Sequence, residues 1–159
     1  MLTEGDSGSN PVKANLLDPR RNVLLATLFQ SGCERFEPHL EPLEMASGQV
    51  LYEAGTQSEY VYFPITARIS LRFDMANGAS AEIAAVGNEG VVGIGLSMAG
   101  EVAPGRAMVQ TGGVGFRLKA QMIRDELNRA GPVTEVILCY IRALIVQMVQ
   151  NVSSRPLLS

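Results

Sequence analysis

The rhythm of apolar positions changes twice along the chain. Near the start, Asn22 precedes the run Val23-Leu24-Leu25-Ala26-Thr27-Leu28-Phe29, and Ser31-Gly32 follows it. A capping side chain before an apolar run and a glycine after it predict a short amphipathic helix with Asn22 as its N-cap. A second short helix is expected from Glu34 to about Leu40. From Pro42 to Lys119 the helical spacing disappears, and short apolar runs are separated by glycines. Residues 43–45, 50–52, 60–64, 67–73, 81–86, 107–110 and 114–118 read as strands. Ile69, Leu71 and Phe73 alternate with Ser70, Arg72 and Asp74, the period of a half-buried strand. Many short strands between glycine turns predict an antiparallel sandwich or barrel. Between two of these runs lies Asn77-Gly78, which predicts a type I′ hairpin or a somewhat longer loop.

After Leu118 helical spacing returns. Met122, Ile123 and Leu127 mark a short helix over residues 119–128, broken by Gly131-Pro132. Pro132 suits the first turn of a new helix. That helix carries Val133, Val136, Ile137, Tyr140, Ile141, Leu144, Ile145, Met148 and Val152 at spacings of 3 and 4. Its other side is poor in charge, with Glu135, Arg142 and some glutamines. A helix apolar nearly all round needs two covers. One is its own barrel; the other is expected to be the same helix of a second chain. The stripe of Ile137, Tyr140, Ile141, Leu144 and Met148 is read as both core and dimer seam. The expected organisation is a flexible tail over residues 1–13, a β domain with flanking short helices over 14–131, a dimerisation helix over 132–152 and a tail over 153–159.

Composition narrows the function. The chain has 159 residues, room for one domain or one domain plus a long helix. Charged residues make up 18%, below the usual ~25%, which agrees with apolar surface covered by a partner. The net charge is −3, and no Lys/Arg cluster exceeds Arg20-Arg21, so the footprint of a nucleic-acid-binding domain is absent. One histidine, His39, and two cysteines, Cys33 and Cys139, cannot assemble a structural zinc site or a cupin-type metal centre. No metal, cofactor or catalytic activity is expected. The cysteines are read as reduced thiols of a cytoplasmic protein, with Cys139 packed as a small hydrophobe. No membrane span is expected, because Arg142 and Gln147 interrupt the most apolar run.

Four segments in order suggest a family. Gly48-Gln49-Val50-Leu51-Tyr52-Glu53-Ala54-Gly55 resembles the entry into a cyclic-nucleotide-binding β-roll, and Tyr60-Val61-Tyr62-Phe63-Pro64 resembles its next strand. Val86-Gly87-Asn88-Glu89-Gly90-Val91-Val92-Gly93 is similar to the approach to the ligand-binding turn, and Pro104-Gly105-Arg106-Ala107-Met108-Val109-Gln110 to the strand after it. Over residues 22–152 the chain resembles the sensor half of the Crp/Fnr superfamily of bacterial transcription regulators. The resemblance implies a mainly β fold with flanking helices. It takes the form of a double-stranded β-helix, a jelly-roll-like β-roll, with a long C-terminal dimerisation helix. It also implies a homodimer paired through that helix, and a ligand near Gly93, Ile94, Gly95, Leu96, Gly105, Arg106 and Ala107.

Two departures qualify the resemblance. Members that bind cyclic AMP carry Gly-Glu in the turn and later Arg-Ser-Ala; backbone N–H groups and the arginine neutralise the phosphate, and the glutamate accepts from the ribose. Here Ile94 stands at the glutamate position, and Gly105-Arg106 at Arg-Ser. Isoleucine cannot accept a hydrogen bond, so conventional cyclic AMP binding is not expected, and the effector is another small molecule or none. Arg106 is either a displaced phosphate ligand or a surface residue. Gly93 and Gly95 form either an anion-cradling turn or tight corners. The second departure is the output domain. Seven residues follow Val152, too few for the family's helix-turn-helix, so DNA is expected as a partner only through a domain missing here. The two expected readings are the effector-sensing and dimerisation domain of a longer regulator, and a stand-alone interaction module that pairs with other regulators.

Overall fold

The computed structural model describes residues 18–94 and 105–153. A 3-10 turn, Pro19–Arg21, leads into helix α1 (Val23–Gln30) and a 3-10 helix, Glu34–His39. Seven strands follow: β1 (Glu41–Met45), β2 (Val50–Tyr52), β3 (Tyr60–Pro64), β4 (Arg68–Asp74), β5 (Ser80–Val86), β6 (Arg106–Thr111) and β7 (Gly113–Lys119). Helices α2 (Ala120–Arg129) and α3 (Pro132–Ser153) complete the order. Every expected strand is present to within two residues at its ends. Gly95, Leu96 and residues 1–13 and 154–159 lie outside the described residues.

The strands form two antiparallel sheets, ordered β1-β7-β3 and β2-β6-β4-β5. The last strand, β7, returns between β1 and β3, and β6 between β2 and β4, so the chain is mainly β with flanking helices. Period-two alternation gives the three-stranded sheet two apolar faces. Val61, Phe63, Phe116 and Leu118 point towards the helices and join Leu25, Leu28, Phe36, Ile123 and Ile137 in one core. Met45 and Tyr62 point the other way and join Ile69, Leu71, Ala84, Val86, Ala107 and Val109 between the sheets. Each large side chain fully buried in these cores stabilises the fold by roughly 1.5–3 kcal/mol.

Asn22 is the expected N-cap: its Oδ1 accepts from the Leu25 N–H at 3.0 Å. It is also fully buried. Its Nδ2 donates to the carbonyls of Pro64 (2.8 Å) and Gly90 (2.9 Å). One side chain therefore fastens α1 to the end of β3 and to the turn before the candidate site.

The β4–β5 hairpin departs from the type I′ expectation. Asp74 pairs with Ser80, leaving a five-residue connection, and the Met75 N–H donates to the Ala79 carbonyl at 2.7 Å. Only Gly78 of the pair takes a left-handed φ, +90°; Asn77 instead accepts the Ala79 N–H on its side chain. An Asx contact and one left-handed glycine close the longer loop, so two positive-φ residues are not needed.

Helix α3 bears out the core half of its reading. Ile137 is fully buried in the chain's own core. Tyr140 and Ile141 pack on that core, and Leu144 and Met148 on the core between the sheets. The stripe read as both core and seam meets this chain's own roll, with Ile137 fully buried and the others partly so. The opposite face carries Cys139, exposed rather than packed, together with Ile145 (54% exposed), Val146 (51%) and Val149 (59%). Near its end, Asn151 Nδ2 donates to the Ile83 carbonyl at 3.0 Å and ties α3 to β5. By length and composition the stretch Pro132–Asn151, with mean hydropathy 1.6, is apolar enough to cross a membrane, despite Arg142 and Gln147. The other cysteine, Cys33, is fully buried beside Glu126, and burial pushes its thiol up to about 11.

Candidate ligand-binding site

The residues singled out from the sequence separate in space. Gly93 has φ +98°, and a Cβ there would press on the Tyr60 carbonyl at 3.3 Å, so backbone rather than side chain lines this point. Ile94 is 1% exposed within the core under the helices and is not available to a ligand. Gly105 lies against the Arg72 carbonyl. Ala107 is fully buried and pairs with Tyr52. Arg106 lies on the other side. Ala107 and Val109 face the space between the sheets, so alternation places Arg106 on the outer face, directly opposite Arg72. Its Nε is buried and has no hydrogen-bond partner among the described residues.

The space between the sheets instead presents a group that sequence reasoning passed over. Arg117 follows Phe116 and precedes Leu118, both of which face the helices, so its side chain points between the sheets. It pairs in register with Glu41 on one side and Tyr62 on the other. Its Nε donates to Glu41 Oε1 at 2.8 Å, and its guanidinium carbon lies 4.0 Å from the centroid of the Tyr60 ring. Tyr52 approaches from the facing sheet, where it and Tyr60 pack on the same core as Tyr62. Burial pushes the Tyr52 phenol up to about 12, with proximity to Tyr62 adding to the effect. The Tyr62 phenol is raised as well, chiefly by burial, with Arg117 pulling against it. At neutral pH both are hydrogen-bond donors, and Tyr62 lies beside the fixed positive charge of Arg117. The signal in the sequence was the parity of residues 60, 62 and 117. The pairing that gathers them depends on strands far apart in the chain.

A continuous path leads from this group to α3. Tyr62 pairs with Val92 through two backbone hydrogen bonds of 2.8 and 2.9 Å. The neighbouring Val91 is held by Tyr140, whose hydroxyl accepts from the Val91 N–H and donates to its carbonyl, both at 3.1 Å. The ring lies over Gly90, where any Cβ would overlap it. Burial pushes the Tyr140 phenol up to about 12, so it stays protonated and keeps both bonds throughout the physiological range. Arg117, Tyr62, Val92, Val91 and Tyr140 are thus linked in sequence or by pairing.

No protein-family model and no curated protein matches this chain. Solved structures do. The regulatory subunit of a cAMP-independent protein kinase A from Trypanosoma brucei matches with a TM-score of 0.59 at 15% identity, over 70% of this chain and 41% of its own. The c-di-GMP-responsive global regulator CLP of Xanthomonas campestris matches at 0.63 and 14%, over 80% and 61%. The catabolite activator protein of Thermus thermophilus matches at 0.62 and 11%, over 79% and 61%. The chain therefore spans about 40–60% of the length of these proteins. What it shares with them is the fold of a cyclic-nucleotide-binding-type domain.

Proposed function

We propose that this chain is the effector-sensing and dimerisation part of a Crp/Fnr-like transcription regulator, a binding protein rather than an enzyme. The observation that carries the reading is the two-faced last helix. One face of α3 is docked on the roll through Ile137, Tyr140, Leu144 and Met148, while Ile145, Val146 and Val149 on the other face are bare and apolar. A helix fastened to a ligand-type roll and open on its far side fits a lever between the roll and a second copy. An effector between the sheets would bias the Tyr62–Val92 and Val91–Tyr140 contacts, and with them the pose of α3. The ligand must prefer one pose for this to act as a switch. Ile94 lies in the helix-side core and Arg106 faces outward, which supports an effector held differently from cyclic AMP in its conventional site. DNA would be met by a further domain, since the sequence offers the roll no basic cluster beyond Arg20-Arg21. Cytoplasmic operation follows from the same reading.

Light scattering after size exclusion tests the pairing. The chain is expected to elute as a dimer at about 20 µM. Val146→Glu is expected to yield monomer, because like charges juxtaposed in an interface cost several kcal/mol. Leu144→Glu strikes the roll-facing side and is expected to lower the melting temperature instead. A wild-type monomer, or association seen only with detergent or lipid, contradicts the dimer.

A further inference from the structure

We propose that the outer face of the four-stranded sheet binds a phosphoryl group between Arg72 and Arg106. This goes beyond the effector reading and does not depend on it, because the site lies outside the roll. Ile69, Leu71, Ala107 and Val109 fill the space between the sheets, so alternation turns Ser70, Arg72, Arg106 and Met108 outward. Solvent reaches this face: Arg72, Glu82, Arg106 and Met108 are partly exposed, and Gln110 is exposed. Arg72 and Arg106 are register partners on adjacent strands. Like charges set directly opposite each other destabilise a sheet. Among the described residues neither arginine makes an ion pair. Glu82 is the register partner of Arg72 on β5, but its Oε1 accepts from Ser70 Oγ at 2.7 Å and Gln110 Nε2 at 3.3 Å. Hydroxyls hold Arg72 in place: its Nε donates to Ser80 Oγ at 3.1 Å and its Nη1 to Ser70 Oγ at 3.3 Å. A guanidinium has five N–H donors, so Arg72 keeps donors to spare. The Arg106 Nε is buried without a partner among the described residues, and a buried donor left unpaired is costly. One oxyanion seated between the two guanidiniums relieves both the repulsion and the unpaired donor. Arginine forks match phosphate geometry, and charge-assisted hydrogen bonds are the strong ones. Two adjacent positive charges also favour a phosphoryl group, close to doubly charged at neutral pH, over a singly charged carboxylate.

Calorimetric titration of the full chain at fixed ionic strength tests the proposal, with inorganic phosphate, phenyl phosphate and acetate as probes. Inorganic phosphate is expected to saturate with a Kd of about 1 mM or tighter. Tighter binding of phenyl phosphate would identify a phosphoryl group carried on a larger molecule, and equal binding would identify the free ion. Acetate should bind about 10-fold more weakly. Arg106→Met is expected to weaken phosphate binding by about 10-fold or more, the loss of charged hydrogen bonds. Arg106→Lys should fall between the two, keeping charge without the planar fork. Glu82→Gln removes the nearby negative charge and leaves an acceptor for Ser70. It is expected to tighten binding about 2–5-fold, a gain that damaged folding cannot produce. Thermal melts show that each variant is folded. Arg117→Met, altered between the sheets, should bind phosphate as wild type does. Loss of binding in Arg117→Met would move the anion inside the roll and overturn the outer site, leaving the effector reading in place. Arg106→Met binding like wild type, Glu82→Gln binding more weakly, or no saturable heat with either phosphate also overturns it. Acetate binding as tightly as phosphate overturns the ligand class.

Discussion

Gly90→Val is expected to lower the melting temperature by about 10 °C. The backbone at Gly90 has an ordinary φ, so the effect is steric. A Cβ at this position would overlap the Tyr140 phenol. The turn cannot retreat freely, because the Gly90 carbonyl accepts from the buried Asn22 side chain at 2.9 Å. The ring must therefore leave, breaking its two hydrogen bonds to Val91. Overpacking costs about 1–3 kcal/mol and lost buried hydrogen bonds a similar amount. A total of about 3 kcal/mol corresponds to a shift of roughly 10 °C for a chain of this size. The cause is checked by a double-mutant cycle with Tyr140→Ala. That variant alone should cost about 3–5 kcal/mol through lost packing. Combined with Gly90→Val, the two costs should overlap by at least about 1 kcal/mol, since each removes the same contact. Strictly additive losses would show that the contact is not what Gly90 protects.

The second large effect is expected at Asn22. Asn22→Leu should destabilise the chain by about 3–7 kcal/mol. It removes an N-cap, worth about 1 kcal/mol, and strands the Pro64 and Gly90 carbonyls in a buried place, at about 1–3 kcal/mol for each unsatisfied group. Asn22→Ser retains a capping oxygen but cannot reach both carbonyls, and should recover about 1 kcal/mol relative to leucine. Urea unfolding checks this: the midpoint should fall with the slope unchanged. If serine is no better than leucine, the cap contributes nothing. If leucine costs less than about 1 kcal/mol, the two carbonyls find other partners.

These two sites show what the sequence could carry. Asn22 before an apolar run announced a helix start, because capping is local chemistry. Its Nδ2 contacts join residues 42 and 68 positions away, and no local pattern encodes them. The strands were legible because glycines punctuate them and side chains alternate. Helix α3 was legible as a helix with two apolar sides, but periodicity could not say which side faces the roll. The spacing of Ile137, Tyr140, Leu144 and Met148 suits a core and a seam alike, and the register of the roll against the helix shows the core role. Arg106 drew attention through its neighbours in sequence. Its parity with the inward Ala107 and Val109 was the available sign that it faces outward. Arg117 had its parity between Phe116 and Leu118 as a sign, but it gains meaning only when β7 enters between β1 and β3 and sets it beside Glu41 and Tyr62.

In the proposed switch, the roll and α3 are coupled through Tyr140 and Val91. Hydrogen exchange of the intact chain and of Tyr140→Phe probes this coupling, because the substitution removes only the hydroxyl. Faster exchange is expected both in the turn over residues 87–92 and along α3, reaching residues beyond the first turns on either side of position 140. Faster exchange confined to the turn, with α3 unchanged, would contradict it.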